Sequence, residues 1–161
     1  ELHRILKAGT SDSRRTWFRV GEYKKLPNEV GGQETTPPEQ VAAQMKALLS
    51  HYNALTNKTL EDIVAFHHAF ECIPPFQDGN GRTARLLMNL ILVNRGYCVV
   101  SIPPILRHDY ITALQQAQRA QGPSDTAFIR LICECELEAQ KDYCRMFRIK
   151  LPERRKDAPE R

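Results

Sequence analysis

The chain has 161 residues, 42% of them apolar and 26% charged, and carries a net charge of +4 at pH 7. That length suits one domain with a real core, and that composition suits a soluble globular protein. The mild positive excess fits anionic ligands such as nucleotides and is too weak to argue for nucleic-acid binding. No apolar run approaches the roughly 18 residues of a membrane span, and no signal peptide is visible. The chain opens at Glu1 without Met, so an excised domain is expected.

The first forty residues differ from the rest. Trp17 to Val30 alternates loosely, contains Gly21, Pro27 and Asn28, and is followed by Gly31 and Gly32; it reads as a small β-hairpin or extended flap. Helices follow. Thr36-Pro37-Pro38-Glu39 predicts a start with a capping box and proline in the first turn, and Val41, Met45, Leu48, Leu49 and Tyr52 recur at helical spacing. Thr59 opens a second helix, with Leu60, Ile63, Val64, His67 and Phe70 on one face, which Pro74 and Pro75 must end by Cys72 or Ile73. A third helix starts near Gly81 and stops at Gly96, a C-cap. It is apolar on most faces, which predicts a central, buried helix. A fourth covers about Arg107 to Ala120 and a fifth about Ser124 to Phe147. From Lys150 to Arg161 the chain is a charged, solvated extension. Five cysteines, Cys72, Cys98, Cys133, Cys135 and Cys144, fit no disulfide scaffold. Cys133 and Cys135 fall on different faces of one helix, which argues against zinc. Reduced thiols of a cytoplasmic protein are the expectation.

Between the second and third helices lies "IPPFQDGNGRTARLLMNLIL", from Ile73 to Leu92. Gly79 and Gly81 let the backbone turn tightly and approach a ligand. The unpaired amides entering the third helix, with its dipole, form an anion site. Arg82 and Arg85 share a helix face, and their guanidinium forks suit phosphate oxygens. Asp78, just before the glycines, is a natural Mg²⁺ ligand beside bound phosphates. Together these residues describe a nucleotide polyphosphate site with one metal. An ordinary helix cap with solvated arginines is the bland reading of Gly-Asn-Gly alone, and it is weak against the whole string.

The string "PPFQDGNGRTAR" resembles the Fic motif H-P-F-x-[D/E]-G-N-G-R-x-x-R at every specified position except the first. "LHRIL", "GEYK", "PPEQVAAQM", "LLMNLILVNRGY", "DYITALQQAQ" and "FIRLI" are also similar to Fic sequence, so the likeness runs from about Leu2 to Leu137. It implies a mainly α Fic fold, with about five to seven helices around a central buried helix and a small β-hairpin flap. The domain would span 1–149, with the flap at about 17–33, the active-site loop at 73–81, and 150–161 outside it. It implies transfer of AMP from ATP to a Ser, Thr or Tyr hydroxyl of a protein target. Asp78 would bind Mg²⁺. The Gly79-Asn80-Gly81 backbone would form the anion hole, with Arg82 and Arg85 on the phosphates and Arg85 reaching towards the γ-phosphate. Phe76 would anchor the loop in the core, and Tyr110 and Gln118 would lie near the adenine. The flap, about Tyr23 to Gln33 and including Lys24, Val30 and Gly31, would pair with the target segment as an added strand. A secreted effector acting inside a host cell is the alternative to a cytoplasmic protein.

Pro74 stands where the motif has its histidine, the general base of the reaction. Proline has no proton acceptor at its nitrogen, and general-base catalysis is worth roughly 10²–10⁴-fold. The expectation is therefore a site that binds nucleotide and transfers poorly. Pro74 is either natural or a single-base change from a His codon, and both readings stay open. Of the other histidines, His67 reads as a hydrogen-bonded core residue, His68 as exposed, and His3, His51 and His108 as unconnected to the loop. Two rivals to the enzyme remain: a nucleotide-binding pseudoenzyme acting as a regulatory interaction module, and a helical DNA-binding module, for which no basic recognition face stands out. Fic proteins are often inhibited by a glutamate in [S/T]-x-x-x-E-[G/N]. Thr35 to Gln40 fails this at its last position, so Glu39 is read as part of a helix cap. An inhibitory segment or antitoxin outside the chain is expected instead.

Overall fold

The computed structural model describes residues 1–30, 33–119 and 126–150. Six helices account for most of them: α1 (Leu2–Lys7), α2 (Pro38–Ala54), α3 (Leu60–Cys72), α4 (Asn80–Asn94), α5 (Arg107–Arg119) and α6 (Thr126–Met146). Two strands of two residues each, β1 (Glu29–Val30) and β2 (Gln33–Glu34), pair antiparallel, with Glu29 opposite Glu34 and Val30 opposite Gln33. The mainly helical architecture expected from the sequence is what is found. The extension from residue 151 onward and the docking position Gly31 lie outside the described residues.

Local chemistry explains most of the boundaries. Thr59 caps α3 through a reciprocal capping box: its hydroxyl accepts from the Asp62 amide at 3.2 Å, and the Asp62 carboxylate accepts from the Thr59 amide at 2.8 Å. The helix ends at Cys72, directly before the Ile73-Pro74-Pro75 run that cannot continue it. After α4, Gly96 takes a φ of +83°, the left-handed geometry that ends a helix.

The box expected at Thr36 does not form. Pro37 occupies the N-cap position, and the Thr36 hydroxyl donates to the Gln44 side chain at 3.0 Å instead. Proline in the first turn pre-sets φ there, and Pro38 has no amide hydrogen to satisfy.

The core has two parts. Ile63 and Val64 of α3 pack with Met88 and Leu92 of α4, Tyr110, Ala113 and Ala117 of α5, and Phe128 and Ile132 of α6. A second cluster joins Val41 and Met45 of α2 to Phe70, Ile73 and Ala84. Thus α3 is the helix with neighbours on every side, touching α2, α4, α5 and α6. The expectation that the apolar α4 would be the buried centre needs correction. Ala84, Met88 and Leu92 face inward, whereas Leu86, Leu90 and Val93, at i, i+4 and i+7 on the far side, are about half exposed. Two histidine readings also change. His67 is buried as expected, but so is His68, which packs near Phe128.

The N-terminal region differs most from expectation. Leu2–Lys7 is helical, and Trp17 to Leu26 runs in turns and bends rather than as a strand. Among the described residues, strand pairing is confined to Glu29–Val30 with Gln33–Glu34.

Candidate functional site

The loop between α3 and α4 is closed by Asn80. Its side-chain oxygen accepts from the Phe76 amide at 2.8 Å, and its amide nitrogen donates to the Phe76 carbonyl at 2.7 Å. The Asn80 side chain is thereby occupied in holding the loop. Asn80 also lines the cleft beside the loop. Gly79 precedes α4 with φ +83°, a left-handed conformation that side chains rarely tolerate. A β-carbon there would also meet Lys7 Cδ at 3.3 Å. At Gly81 a β-carbon would sit 3.3 Å from both Arg85 Nη1 and Glu71 Oε1. The glycines thus leave the first amides of α4 facing a cleft of about 800 Å³.

The cleft brings together the residues singled out in the sequence. Pro74, Asp78, Gly79, Asn80, Gly81 and Arg82 line it, as do Arg85 from α4 and Tyr110 and Gln118 from α5. Arg85 lies over the Tyr110 ring, with its guanidinium carbon 5.8 Å from the centroid. The Tyr110 hydroxyl meets His67 Nε2 at 2.8 Å, and burial pushes its pKa up to about 12, so it stays neutral. Burial likewise pushes His67 down to about 4, leaving it neutral. Gln118 Nε2 donates to the Glu71 carbonyl at 3.2 Å, which ties α5 to the end of α3.

Three side chains that sequence reasoning missed shape this site. The first is His3, read as unconnected. It is buried and stacks on Phe76, with centroids 3.9 Å apart and planes 5° from parallel. Its Nδ1 accepts from the Gly21 amide at 2.9 Å, so the proton sits on Nε2, which donates to the Asp78 carbonyl at 3.0 Å. Burial lowers its pKa, consistent with that neutral tautomer. Phe76 is therefore anchored by His3 and Tyr23 as well as by the core.

The second is Lys7, whose side chain is 2% exposed and whose Nζ lies 2.6 Å from Asp78 Oδ2 and 2.7 Å from Asp12 Oδ2. Burial opposes its charge, but the hydrogen bonds to Asp12 and Asp78 outweigh that and raise its pKa. In turn Lys7 holds the Asp78 carboxyl below its usual range, helped by the Gly79 amide and Arg82. Arg82 Nη2 also reaches Asp78 Oδ2, at 3.2 Å.

The third is Glu71, whose carboxylate stands beside Gly81 and Arg85. Burial pushes its pKa up to about 7, although the Arg85 charge acts to lower it. No spacing rule points to His3 or Lys7, because their partners lie 75 and 71 residues away. Glu71 sits one turn before Pro74 and had a signal: a carboxylate in the last turn of a helix, where the dipole disfavours it.

The segment expected to act as a flap runs along the loop. The Lys24 amide donates to the Pro75 carbonyl at 2.8 Å, and the Leu26 amide to the Gln77 side chain at 3.3 Å. Asn28 Nδ2 donates to the Phe76 carbonyl at 3.2 Å. Asn28 and Glu29 form one wall of the cleft. The Lys24 side chain is buried and donates to Asn28 and Thr35.

An asparagine-closed glycine turn thus aims the start of α4 into a cleft lined by Arg82, Arg85 and Arg107 and by Glu29, Glu71 and Asp78. A sequence profile of the Fic/DOC family matches residues 1–92, and the chain belongs to that family. Protein adenylyltransferase fic-1 of Caenorhabditis elegans is 37% identical over 120 residues, covering 73% of this chain and 23% of that protein. Protein adenylyltransferase Fic of Nematostella vectensis is 37% identical over 122 residues, covering 73% and 28%. Among solved structures, a Fic domain containing signaling protein from Bacteroides thetaiotaomicron superposes with a TM-score of 0.69 at 31% identity, covering 80% of this chain and 56% of that one. Fic-1 of C. elegans, residues 134–508, superposes with a TM-score of 0.74 at 26% identity, covering 92% and 42%. The chain thus spans about a quarter of the length of the curated relatives it matches.

Proposed function

We propose that this chain is the nucleotidyl-transfer domain of a protein adenylyltransferase, moving AMP from ATP to a hydroxyl on a protein target, with transfer slowed by Pro74. The observation that carries the reading is the cleft itself. Its floor is the open end of α4, and Arg82 and Arg85 stand on the same side of that helix. The relatives named adenylyltransferases support the activity.

Asp78 is the group that would hold Mg²⁺. One carboxylate with phosphates and water completing the shell is a common magnesium arrangement, and Asp78 is half exposed, so the residues present fit. When bound, the metal neutralises charge on the phosphates. The Lys7 ammonium already shares Asp78 Oδ2, so the metal meets a partly neutralised ligand.

The target peptide would lie along Tyr23–Glu29 and β1, adding through main-chain hydrogen bonds and placing its hydroxyl over the loop. Tyr23 and Lys24 belong to this docking stretch, while the buried Lys24 side chain serves the fold. An inhibitory segment or antitoxin from outside the chain would act at the same cleft.

A second reading is a nucleotide-binding regulatory module that performs no transfer. Pro74 favours it, because it lines the cleft at the base position without a titratable group. Two measurements decide. Calorimetry with Mg²⁺-ATP should show binding that Arg85→Ala abolishes or weakens at least tenfold; no binding ends both readings. Labelling from ATP carrying a tagged α-phosphate should be faint in this chain and strong in Pro74→His. Equal labelling in the two would remove the role assigned to position 74, and none in either would favour the regulatory module.

A further inference from the structure

The Glu71 carboxyl occupies an unusual place. It lies on the last turn of α3, where it faces the first turn of α4 and lines the phosphate cleft. Its Oε1 and Arg85 Nη1 both stand 3.3 Å from where a β-carbon on Gly81 would be. Yet it makes no ion pair within 4 Å and no side-chain hydrogen bond among the described residues. A partly buried carboxylate that goes unpaired beside an arginine is disfavoured in its charged form, in the direction its raised pKa shows. The end of α4 is an anion site, and this anion belongs to the protein.

An incoming polyphosphate meets the same two features, the Arg85 guanidinium and the open amides at Gly81. An ionised Glu71 repels it and competes for Arg85. A protonated Glu71 does neither, and its hydroxyl hydrogen can donate to a phosphate oxygen. We propose that Glu71 is a specificity-determining residue of the cleft, admitting a terminal phosphate beside Arg85 only as its neutral acid, so that binding of a nucleoside triphosphate carries one proton onto Glu71. This rests on the reading that the cleft binds nucleotide phosphates through Arg85.

The balance is simple. One proton moves from solvent to the Glu71 carboxylate, no bond to the nucleotide is made or broken, and release of the ligand returns the proton. The pKa of about 7 in the free protein places the exchange near neutrality. The surrounding charges set its direction. Burial favours the acid form, and Arg85 on α4 favours the carboxylate while the cleft is free of ligand; Arg82 on α4, Arg107 on α5, Asp78 in the loop and Glu29 on β1 are the other charged groups that line the cleft. Tyr110 on α5 has its pKa raised by burial and by Glu71 itself, and so stays neutral. On α3, Cys72 is raised by burial and then by Glu71, and His67 is neutral; His68 sits in the same turn. Tyr110, Cys72 and His67, at about 12, 11 and 4, do not change charge alongside Glu71 near pH 7. Bound phosphate claims Arg85 and adds negative charge, and both shift Glu71 towards the acid form.

The test is calorimetry with Mg²⁺-ATP from pH 6 to pH 8.5, repeated in buffers of different ionisation enthalpy. The terminal phosphate of ATP titrates as well, but identically for both proteins, so comparison with Glu71→Gln isolates Glu71. The wild-type chain should take up close to one more proton than Glu71→Gln at pH 8, and its affinity should fall about tenfold per pH unit above 7. Glu71→Gln should bind at least as tightly at pH 8 as the wild-type chain does at pH 6. Binding that depends on Arg85 but shows the same proton count in both proteins overturns the inference and leaves the nucleotide reading standing. Absence of binding at every pH overturns both. Should Glu71→Gln fold poorly, the wild-type proton count in two buffers still decides: a count explained by ATP alone refutes the role of Glu71.

Discussion

Two stretches build this site in different ways. From Pro74 to Arg85 the hydrogen bonds are local: Asn80 reaches back four residues to Phe76, and Arg82 reaches back four to Asp78. From His3 to Asn28 the bonds are long-range: His3 and Lys7 to residue 78, Lys24 to Pro75, Asn28 to Phe76. The first stretch shapes the loop. The second fixes where the loop sits and holds the pKa of its acid below the usual range. A local motif can therefore be complete while its chemistry is set by residues far along the chain.

If that division holds, substitutions in the loop change ligand handling with little effect on folding, and the largest effect is at Pro74. Pro74→His should raise transfer roughly 10²–10⁴-fold with a nearly unchanged melting temperature, read by target labelling beside calorimetric unfolding. Asn80 is the exception that sharpens the comparison, since its side chain serves the loop's own shape. Asn80→Ala leaves the Phe76 amide and carbonyl without partners and should lower stability by about 3 kcal/mol, measured by denaturant unfolding. An Asn80→Ala protein as stable as its parent would show that the loop is held chiefly by the N-terminal stretch.

The third prediction concerns pH. His67 has a folded pKa of about 4 against an ordinary 6.5, so the unfolded chain binds its proton first. Its contribution is whole above pH 6.5, declines as pH falls, and is lost by about pH 4, some 3 kcal/mol in all. Buried His3 acts in the same direction. Glu71 runs the other way. Its folded pKa of about 7 lies above the ordinary 4.5, so the folded state takes the proton first and gains stability as pH falls through 7 towards 4.5. The two limbs oppose each other, and the wild-type stability should change little across this window. Glu71→Gln removes one limb, and its stability should drop by about 1.4 kcal/mol per pH unit below 6.5. A Glu71→Gln protein with a flat profile would mean that the histidines are not buried as neutral rings.

Much of this was legible in the sequence where the cause is local. The capping box at Thr59, the stop before Pro74 and the C-cap at Gly96 each follow from a few adjacent residues. Asp78, Arg82, Arg85, Tyr110 and Gln118 do line one cleft. Burial of His68, the exposed outer face of α4 and the packing of His3 against Phe76 were not legible. Each depends on which helix a face meets, and a helical period says that a face is apolar without saying what covers it. Residues 2–7 form a helix of less than two turns, too short for periodicity to register.

The smallest predicted effect on stability is the most informative about that division. Lys7 is a buried cation shared by Asp12 and Asp78; its stem packs against Gly79, and its ammonium lies 5.1 Å from the centre of the Phe18 ring. Lys7→Met keeps the stem and removes the charge. Both acids reach solvent, so neither is stranded in the interior, and the stability should change by no more than about 1 kcal/mol. The consequence lies in the loop. Without the ammonium, Asp78 loses the largest influence that depresses its pKa and the partner on its Oδ2. The carboxylate is then freer for a divalent cation, so Mn²⁺ should bind more tightly in the presence of ADP, by several-fold, when followed by its paramagnetic signal. The opposite result, weaker Mn²⁺ binding with unchanged stability, would mean that Lys7 holds the Asp78 carboxylate in the orientation the metal needs, and the N-terminal stretch would then be setting geometry rather than charge.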